Sequence, residues 1–142
     1  MDRREFIRSS CTYCLAATVL GIAVTELNSC SSVIPVYKTS LAPNIEVPLT
    51  SFLQNNEVIV RPSNSEYDIL LVKKSERKYT ALLMECTHRN NSLVATEDGL
   101  YCPAHGSRFD LNGNVTQQPA TEPLKQYQTS ISQTAIIIHT NS

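Results

Sequence analysis

The chain has too few cysteines for a dense disulfide scaffold, and their number is odd. Five cysteines occur among the 142 residues, at the unevenly spaced positions Cys11, Cys14, Cys30, Cys86 and Cys102. Small secreted domains held by disulfides normally carry an even number of cysteines in a regular pattern. The count and the spacing therefore argue against a disulfide framework. The length favours one domain together with a targeting segment.

The chain also lacks an excess of charge of either sign. Twelve lysines and arginines are balanced by thirteen aspartates and glutamates, so the net charge is -1 at pH 7. Binding to nucleic acid or to an anionic membrane surface normally requires clustered positive charge. Neither kind of partner is indicated. Hydrophobic residues make up 42% of the chain, which is enough for a modest core.

No apolar run is long enough to cross a bilayer as a helix. The run from Cys11 to Val24 has fourteen residues, against the roughly 20 that a membrane-spanning helix needs. Arg3, Arg4 and Arg8 precede it and small residues follow it, which is the layout of a bacterial export signal. The adjacent Arg3 and Arg4 resemble the twin-arginine signal, which directs proteins across the membrane already folded.

The end of this segment resembles a bacterial lipobox. In Leu27-Asn28-Ser29-Cys30, Cys30 would become the lipidated first residue of the mature protein, although Asn28 is unusual at its place. Two alternatives stay open, namely an uncleaved signal that anchors the chain and an ordinary buried helix. The Cys11-x-x-Cys14 pair lies inside the signal with no strand before it, so we do not interpret it as a redox site.

Composition divides the chain into three parts. Residues 1–30 are interpreted as the export signal, residues 31–43 as a polar tether that carries two prolines, and residues 44–142 as the folded domain. The folded part consists of short, β-rich runs separated by turn residues. The predicted strands are Ile45–Phe52, Glu57–Arg61, Tyr67–Lys73, Lys78–Glu85, Leu100–Cys102, Arg108–Leu111, Asn114–Thr116, Leu124–Ile131 and Thr134–His139.

The patterns within these runs predict an all-β fold. Residues 57–61 carry three β-branched residues between Glu57 and Arg61, which favours a strand, and Ala135–Ile138 is continuously apolar, as in a strand buried on both sides. Asn112-Gly113 marks a tight hairpin. No run beyond the signal shows a helical period. Many short strands at close spacing favour an antiparallel sandwich or a small barrel.

Two cysteines and two histidines are concentrated within twenty residues. They form the pairs Cys86-x-His88 and Cys102-x-x-His105, and each pair follows a predicted strand and precedes a polar turn. Two thiolates and two imidazoles can bind zinc in a closed tetrahedral site. They can equally bind a 2Fe-2S cluster in which histidines replace two of the four cysteines. A zinc-stabilised binding module and a redox centre are both open at this point.

The two pairs and the residues around them resemble the Rieske iron–sulfur family. The string C-P-A-H-G-S-R-F-D at Cys102–Asp110 is similar to the second cluster-binding loop of that family, and Cys86–His88 is similar to the first. Residues 114–127 are similar to its proline-rich tail, with Gln118 in place of the usual glycine. The resemblance extends over residues 43–140.

The resemblance implies a Rieske-type sandwich or small barrel with an inserted cluster-binding subdomain, whose loops are residues 86–91 and 102–110. It implies a Rieske-type 2Fe-2S cluster in which Cys86 and Cys102 bind one iron. The other iron would be bound by His88 and His105 at an exposed tip, where we expect electrons to enter or leave. Ser107 would donate a hydrogen bond to a bridging sulfide.

Two departures from the family pattern concern the surroundings of the cluster. Many high-potential members join the two loops by a disulfide, but Asn91 and Ala104 stand at those places here. High-potential members also tend to have a tyrosine where this chain has Phe109. The chain thus resembles the low-potential, ferredoxin-like branch. Hydrogen bonds to sulfur raise the potential, so we expect a value below the top of the Rieske range of roughly −150 to +300 mV.

These features predict an exported electron-transfer protein on the periplasmic side of the bacterial cell envelope. A lipid on Cys30 or an uncleaved signal would tether it to the membrane, and it would exchange single electrons with a redox partner protein, as a carrier or as the small subunit of an oxidoreductase. Whether it is itself an enzyme stays open.

Three other functions are weighed against this one. A zinc-stabilised binding lipoprotein without redox activity is the alternative of a different class. A Rieske subunit of a quinol-oxidising cytochrome complex is disfavoured by the short apolar run and the missing loop disulfide. A complete oxygenase would need a second iron site, typically with two histidines, and only His139 remains for it.

Overall fold

The structure, a computed structural model, describes residues 33–141. These residues form eleven strands and a single turn of 3-10 helix at Leu49–Phe52. The all-β prediction is confirmed. The strands are β1 (Val36–Thr39), β2 (Asn44–Pro48), β3 (Glu57–Pro62), β4 (Ile69–Ser75), β5 (Lys78–Leu83), β6 (Val94–Thr96), β7 (Gly99–Tyr101), β8 (Arg108–Asp110), β9 (Val115–Gln117), β10 (Gln126–Ile131) and β11 (Ala135–His139).

The strands are arranged in two sheets. Seven form the larger sheet, in the order β1-β3-β4-β5-β10-β11-β2, and four form the smaller sheet, in the order β6-β7-β8-β9. Strands β5 and β10 pair directly, although β6 to β9 lie between them in the sequence. The smaller sheet is therefore an insertion between two neighbouring strands of the larger one, as predicted. All pairs are antiparallel except β1 with β3, which is parallel.

The larger sheet must curl on itself because its two edge strands are consecutive in the sequence. Residues 40–43 alone connect β1 to β2, and this link can span at most about 18 Å. Across a flat sheet, six strand spacings of about 4.8 Å would separate the two edges by about 29 Å. Hydrogen bonds from the Thr140 amide to the Pro43 carbonyl and from the Ser63 amide to the Thr39 carbonyl bind the link to the strands on either side. The result is a nearly closed barrel.

The prediction that residues 31–43 form only a tether is wrong for Val36–Thr39, which form β1. This strand lies beside β3 with Val36 opposite Ile59. The half-buried side chain of Tyr37 packs against the core of the barrel. The segment is polar overall, so its sequence does not indicate that one aromatic ring could provide this contact.

Three further details differ from the predicted strands. The first predicted strand ends at Pro48, and the 3-10 turn that follows buries Phe52. Strand β6 was not predicted, and its Val94 side chain is 52% exposed. In β11 the Ile137 side chain is only half-buried. The strand buried on both sides is instead β4, whose first four residues are all buried.

Two hydrophobic cores lie on opposite sides of β4 and β5. One fills the barrel and includes Ile69, Leu71 and Ala81. The other lies between the barrel wall and the inserted sheet and includes Leu70 and Leu82. Because side chains alternate along a strand, β4 and β5 contribute to both cores at once. This double burial attaches the insertion to the barrel.

The predicted export signal, residues 1–30 with Cys30, lies outside the described residues. Among residues 33–141, no helix has the length and apolar character needed to cross a bilayer.

The turn between β8 and β9, predicted from Asn112-Gly113, is organised by Asp110. Its Oδ1 accepts hydrogen bonds from the amides of Asn112 and Asn114, both at 2.8 Å, and its Oδ2 accepts one from Asn114 Nδ2 at 2.9 Å. Desolvation acts to raise the pKa of Asp110, but these hydrogen bonds outweigh it and hold the pKa below its usual value. The ionised carboxylate therefore stabilises the turn.

We expect Asp110→Asn to destabilise the protein at pH 7 and to have less effect in acid. A carboxyl group whose pKa is lower in the folded state contributes stability above its unfolded pKa, and this is lost as the pH falls through the folded pKa. The loss at pH 7 should be on the order of 1 kcal/mol or less, since water competes at this partly exposed site. Urea unfolding at pH 7 and below pH 4 measures it, with Asp98→Asn as the control. Equal destabilisation at both pH values would contradict this account.

Candidate functional site

The two predicted ligand pairs lie on two loops that have the same backbone hydrogen-bonding pattern. Loop 1 is residues 86–91 and loop 2 is residues 102–107. The Cys86 amide donates to the Asn91 carbonyl and the Cys102 amide donates to the Ser107 carbonyl, both at 2.8 Å. In each loop, therefore, the cysteine amide is bonded to the carbonyl five residues later.

A second hydrogen bond closes each loop in the opposite direction. The Asn90 amide donates to the Cys86 carbonyl at 2.8 Å, and the Gly106 amide donates to the Cys102 carbonyl at 2.9 Å. Asn90 and Gly106 both have positive φ, 50° and 84° respectively. This conformation is costly for most residues and tolerated by glycine and asparagine. The two loops thus share the same pattern of backbone hydrogen bonds, although their sequences differ.

The two cysteine side chains are completely buried. Cys86 and Cys102 each have 0% exposure, and both thiols are free of disulfides. They belong to the core between the barrel and the inserted sheet, together with Phe109 and Leu124. Buried thiols without a disulfide are suited to hold a soft metal centre away from water.

The two histidine side chains lie next to each other, nearer the surface. His105 is exposed and His88 is half-buried. Their ring centroids are 5.0 Å apart, and the ring planes are inclined at 86°. The sequence predicted that both would be exposed, and this holds for His105 alone.

The Nδ1 atom of His88 is buried without a hydrogen-bond partner among the described residues. A buried nitrogen that lacks a partner is unfavourable, and in native structures it commonly indicates an ion or a water that satisfies it. A bond from Nδ1 to iron would do so. This atom is the most direct sign within the structure that the site holds a metal.

The donors occur as two pairs. No group of three or more His, Cys, Asp or Glu side chains within residues 33–141 is arranged to hold one metal ion. A 2Fe-2S cluster of the mixed type needs only two protein donors at each iron, since sulfides supply the remainder. One pair of buried thiols and one pair of adjacent imidazoles fit that requirement.

Two residues predicted to tune the centre lie in the same core. Ser107 is completely buried, and its Oγ accepts a hydrogen bond from the Ala120 amide at 3.0 Å. That bond uses the hydroxyl oxygen and leaves the proton available for another acceptor. Phe109 is 2% exposed and provides no polar atom.

Sequence reasoning did not identify the side chains that tie the loops to the rest of the protein. Tyr67 donates its hydroxyl proton to the Asn90 carbonyl at 2.7 Å, and Gln117 Nε2 donates to the Gly106 carbonyl at 2.8 Å. Thr87 Oγ1 donates to the Glu122 carbonyl at 2.7 Å. These partners are 11 to 35 residues apart, so no local pattern could have indicated them.

The hydroxyl of Tyr67 remains a donor at neutral pH. Desolvation, with the carboxylates of Glu66 and Glu85, raises the pKa of Tyr67 above its ordinary value.

The other histidine, His139, ends β11 as predicted. It lies between Asn44 and Ser130, with ring nitrogens 2.7 and 2.9 Å from their side-chain oxygens.

Comparison with known proteins gives one family match. The family model described as "Rieske [2Fe-2S] domain" matches residues 45–128. The cytochrome b6-f complex iron-sulfur subunit of Chlorobaculum thiosulfatiphilum is 33% identical over 73 residues, which is 50% of this chain and 40% of that protein. The ubiquinol-cytochrome c reductase iron-sulfur subunit of Bradyrhizobium diazoefficiens is 36% identical over 62 residues, 40% of this chain and 35% of that protein. The chain spans less than half the length of either relative.

Solved structures share the fold at lower identity. A plasma membrane Rieske protein from the cyanobacterium Synechocystis superposes with a TM-score of 0.56 at 21% identity, covering 66% of this chain and 97% of that one. A chain from the complex of oxygenase and ferredoxin in carbazole 1,9a-dioxygenase gives a TM-score of 0.52 at 20% identity, covering 68% of this chain and 93% of that one.

Proposed function

The chain belongs to the Rieske [2Fe-2S] domain family and binds a 2Fe-2S cluster, and we propose that it transfers single electrons in the bacterial cell envelope. The observation that carries the proposal is the pairing of donors on two matching loops. Two free thiols are buried and two imidazoles adjoin each other near the surface. The unpartnered Nδ1 of His88 supports it independently.

The proposed ligands are Cys86 and Cys102 at one iron and His88 and His105 at the other. The thiols lie in a hydrophobic core, which would keep water from an iron that they hold. The exposed ring of His105 would offer a partner protein an edge of one of the iron ligands. The cluster, when bound, accepts and returns one electron. The remaining task of the protein is to orient the ligands and to shield them.

Substitution of single ligands tests the assignment. Wild-type protein should contain about two iron and two labile sulfide per chain and be red-brown, whereas a zinc protein would be colourless. Cys102→Ser and His105→Asn should each lower the cluster content by more than about tenfold, the effect that changes around a metal site typically reach. His139→Asn is the control and should retain the cluster. Colourless wild-type protein with stoichiometric zinc would refute the proposal.

The tuning residues give a second test, in two directions. Hydrogen bonds to sulfur stabilise the reduced cluster, so Ser107→Ala should lower the midpoint potential and Phe109→Tyr should raise it. One such bond is worth about 1 kcal/mol, or on the order of 40 mV for a one-electron couple. A spectroscopic redox titration measures the shifts. Phe52→Tyr adds a hydroxyl in the barrel core instead and should leave the potential unchanged. A lower potential in Phe109→Tyr would contradict this account.

The location in the cell envelope is inferred from residues 1–30. Arg3 and Arg4 support export of the folded protein, and Cys30 supports a lipid tether. One acyl chain alone binds membranes weakly, so stable attachment requires further acyl groups or another contact. Relatives named as subunits of cytochrome complexes, and a structural neighbour named as a plasma membrane protein, are consistent with an envelope location.

Export and tethering can be separated by substitution. Arg3→Lys with Arg4→Lys should retain most of the protein in the cytoplasm, because the twin-arginine pair would be lost. Cys30→Ala should be exported but released from the membrane, because its acyl chains would be lost. Cell fractionation with labelled fatty acid measures both. Cys30→Ala that remains in the membrane would favour an uncleaved anchor over a lipid.

A second candidate function is that of a subunit in a quinol-oxidising cytochrome complex. The names of the two relatives favour it. Against it, Asn91 occupies a place of the loop disulfide and instead donates Nδ2 to the Arg89 carbonyl at 3.0 Å. Affinity purification from envelope extract distinguishes the two, since a subunit would co-purify with a cytochrome and a carrier would not remain bound to one.

A further inference from the structure

We propose that Tyr67 and Gln117 are positioning residues that hold the two ligand loops in register, at a site where no covalent tie joins them. The inference depends on the proposed function, since it concerns the loops that bind the cluster. Neither Cys86 nor Cys102 forms a disulfide. No other cysteine lies within residues 33–141. The relative position of the loops therefore depends on non-covalent contacts.

The two hydrogen bonds occupy equivalent places in the two loops. Tyr67 bonds to the carbonyl of Asn90 at 2.7 Å, and Gln117 bonds to the carbonyl of Gly106 at 2.8 Å. Asn90 and Gly106 are each four residues after the ligand cysteine, and each has positive φ. A donor from outside the loop thus binds the same carbonyl in both loops. Two unrelated residue types from unrelated elements converge on one structural role.

These bonds also act on the amide groups of the loops. In a trans peptide the carbonyl and the following N–H point in opposite directions. A carbonyl that faces a donor outside the loop therefore directs the N–H of the next residue, Asn91 or Ser107, toward the other side. Hydrogen bonding to the carbonyl also polarises the peptide group and strengthens its N–H as a donor. Loss of the outer bond should weaken donation toward an electron-rich cluster and make the midpoint potential more negative.

Tyr67 is presented by a well-anchored connection between β3 and β4. Asp68 forms a two-pronged ion pair with Arg61, with Nη2 2.7 Å from Oδ2, and its carbonyl accepts a hydrogen bond from the Met84 amide at 2.9 Å. Ser65 Oγ donates to the Tyr67 carbonyl at 2.8 Å. The backbone on both sides of the tyrosine is thereby held to the barrel.

An open recess lies beside this connection and the base of loop 1. This recess, of about 490 Å³, is lined by Ser65, Glu66 and Asp68 on one side and by Met84, Ser92 and Leu93 on the other. The hydrogen bond from the Met84 amide to the Asp68 carbonyl joins the connection to the base of loop 1, whereas the recess leaves side chains above this bond without close packing. The hydroxyl of Tyr67 bonds to Asn90 near the other end of loop 1, and Thr87 ties the middle of the loop to Glu122, so the Tyr67 bond restrains a part of the loop that the other contacts do not hold.

Gln117 contacts loop 2 from β9, which is one of the two edge strands of the inserted sheet. It lies opposite Arg108, which directly follows loop 2. If Gly106 carried a β-carbon, the nearest atom to it would be Nε2 of Gln117, at 3.7 Å. The amide therefore covers the outer face of the loop where glycine leaves the backbone bare.

The test uses the full chain loaded with its cluster. Tyr67→Phe and Gln117→Met should each release iron to a chelator about fivefold faster, the factor that corresponds to one lost hydrogen bond. Both should also have a more negative midpoint potential and an altered visible circular dichroism spectrum. Hydrogen exchange measured by mass spectrometry should increase in loop 1 for Tyr67→Phe and in loop 2 for Gln117→Met, and in the strands of the barrel for neither.

Two control variants make the same kinds of change at sites away from the loops. Gln126→Met removes an equivalent bond, from Nε2 to the Asn112 carbonyl at 2.7 Å, and Tyr37→Phe removes a hydroxyl in β1. Both should leave the potential and the iron release unchanged. If Tyr67→Phe and Gln117→Met load normally and behave like these controls, the inference is wrong although the cluster is present. Wild-type protein without iron and sulfide would instead overturn the proposed function on which it depends.

Discussion

The candidate site depends on the hydrogen bond from the amides of Cys86 and Cys102 to the carbonyl five residues further on. This bond, with its return partner, closes a compact loop and directs the cysteine thiol inward. Because it forms identically from Cys86 and from Cys102, the two loops present their donors in equivalent ways. A four-ligand centre built from two short segments can then be assembled from local turns, with little of the closure entropy that distant ligands would require.

The barrel provides the rigid base for these loops. Strands β4 and β5 have one face in the barrel core and the other in the core beneath the inserted sheet. The buried cysteines belong to that second core, so the packing that attaches the insertion also surrounds the thiols. Leu70 and Leu82 contribute to it directly. Stability of the barrel and burial of the two thiols are therefore linked through a shared wall.

Sequence patterns predicted the strand content well and proposed a ligand set, because both have local signals. Runs of β-branched residues and turn residues indicated most of the strands, and the spacing of Cys86, His88, Cys102 and His105 indicated the donors. The strand at Val36–Thr39 was missed, since its partner β3 lies about twenty residues away and only Tyr37 reaches the core. The 3-10 turn at Leu49–Phe52 was likewise predicted as strand. It buries only Phe52, and one buried residue gives no periodic pattern that would distinguish a turn from a strand.

By itself, the sequence determined the chemistry: which atoms can bind iron, which positions accept a positive φ, and that no loop disulfide can form. Tertiary structure decided how those atoms are arranged. It buried both thiols, left His105 exposed beside a half-buried His88, and brought Tyr67 and Gln117 to matching carbonyls. The reason is physical. Donor identity belongs to single side chains, whereas burial and long-range hydrogen bonds arise only when segments distant in the chain pack together.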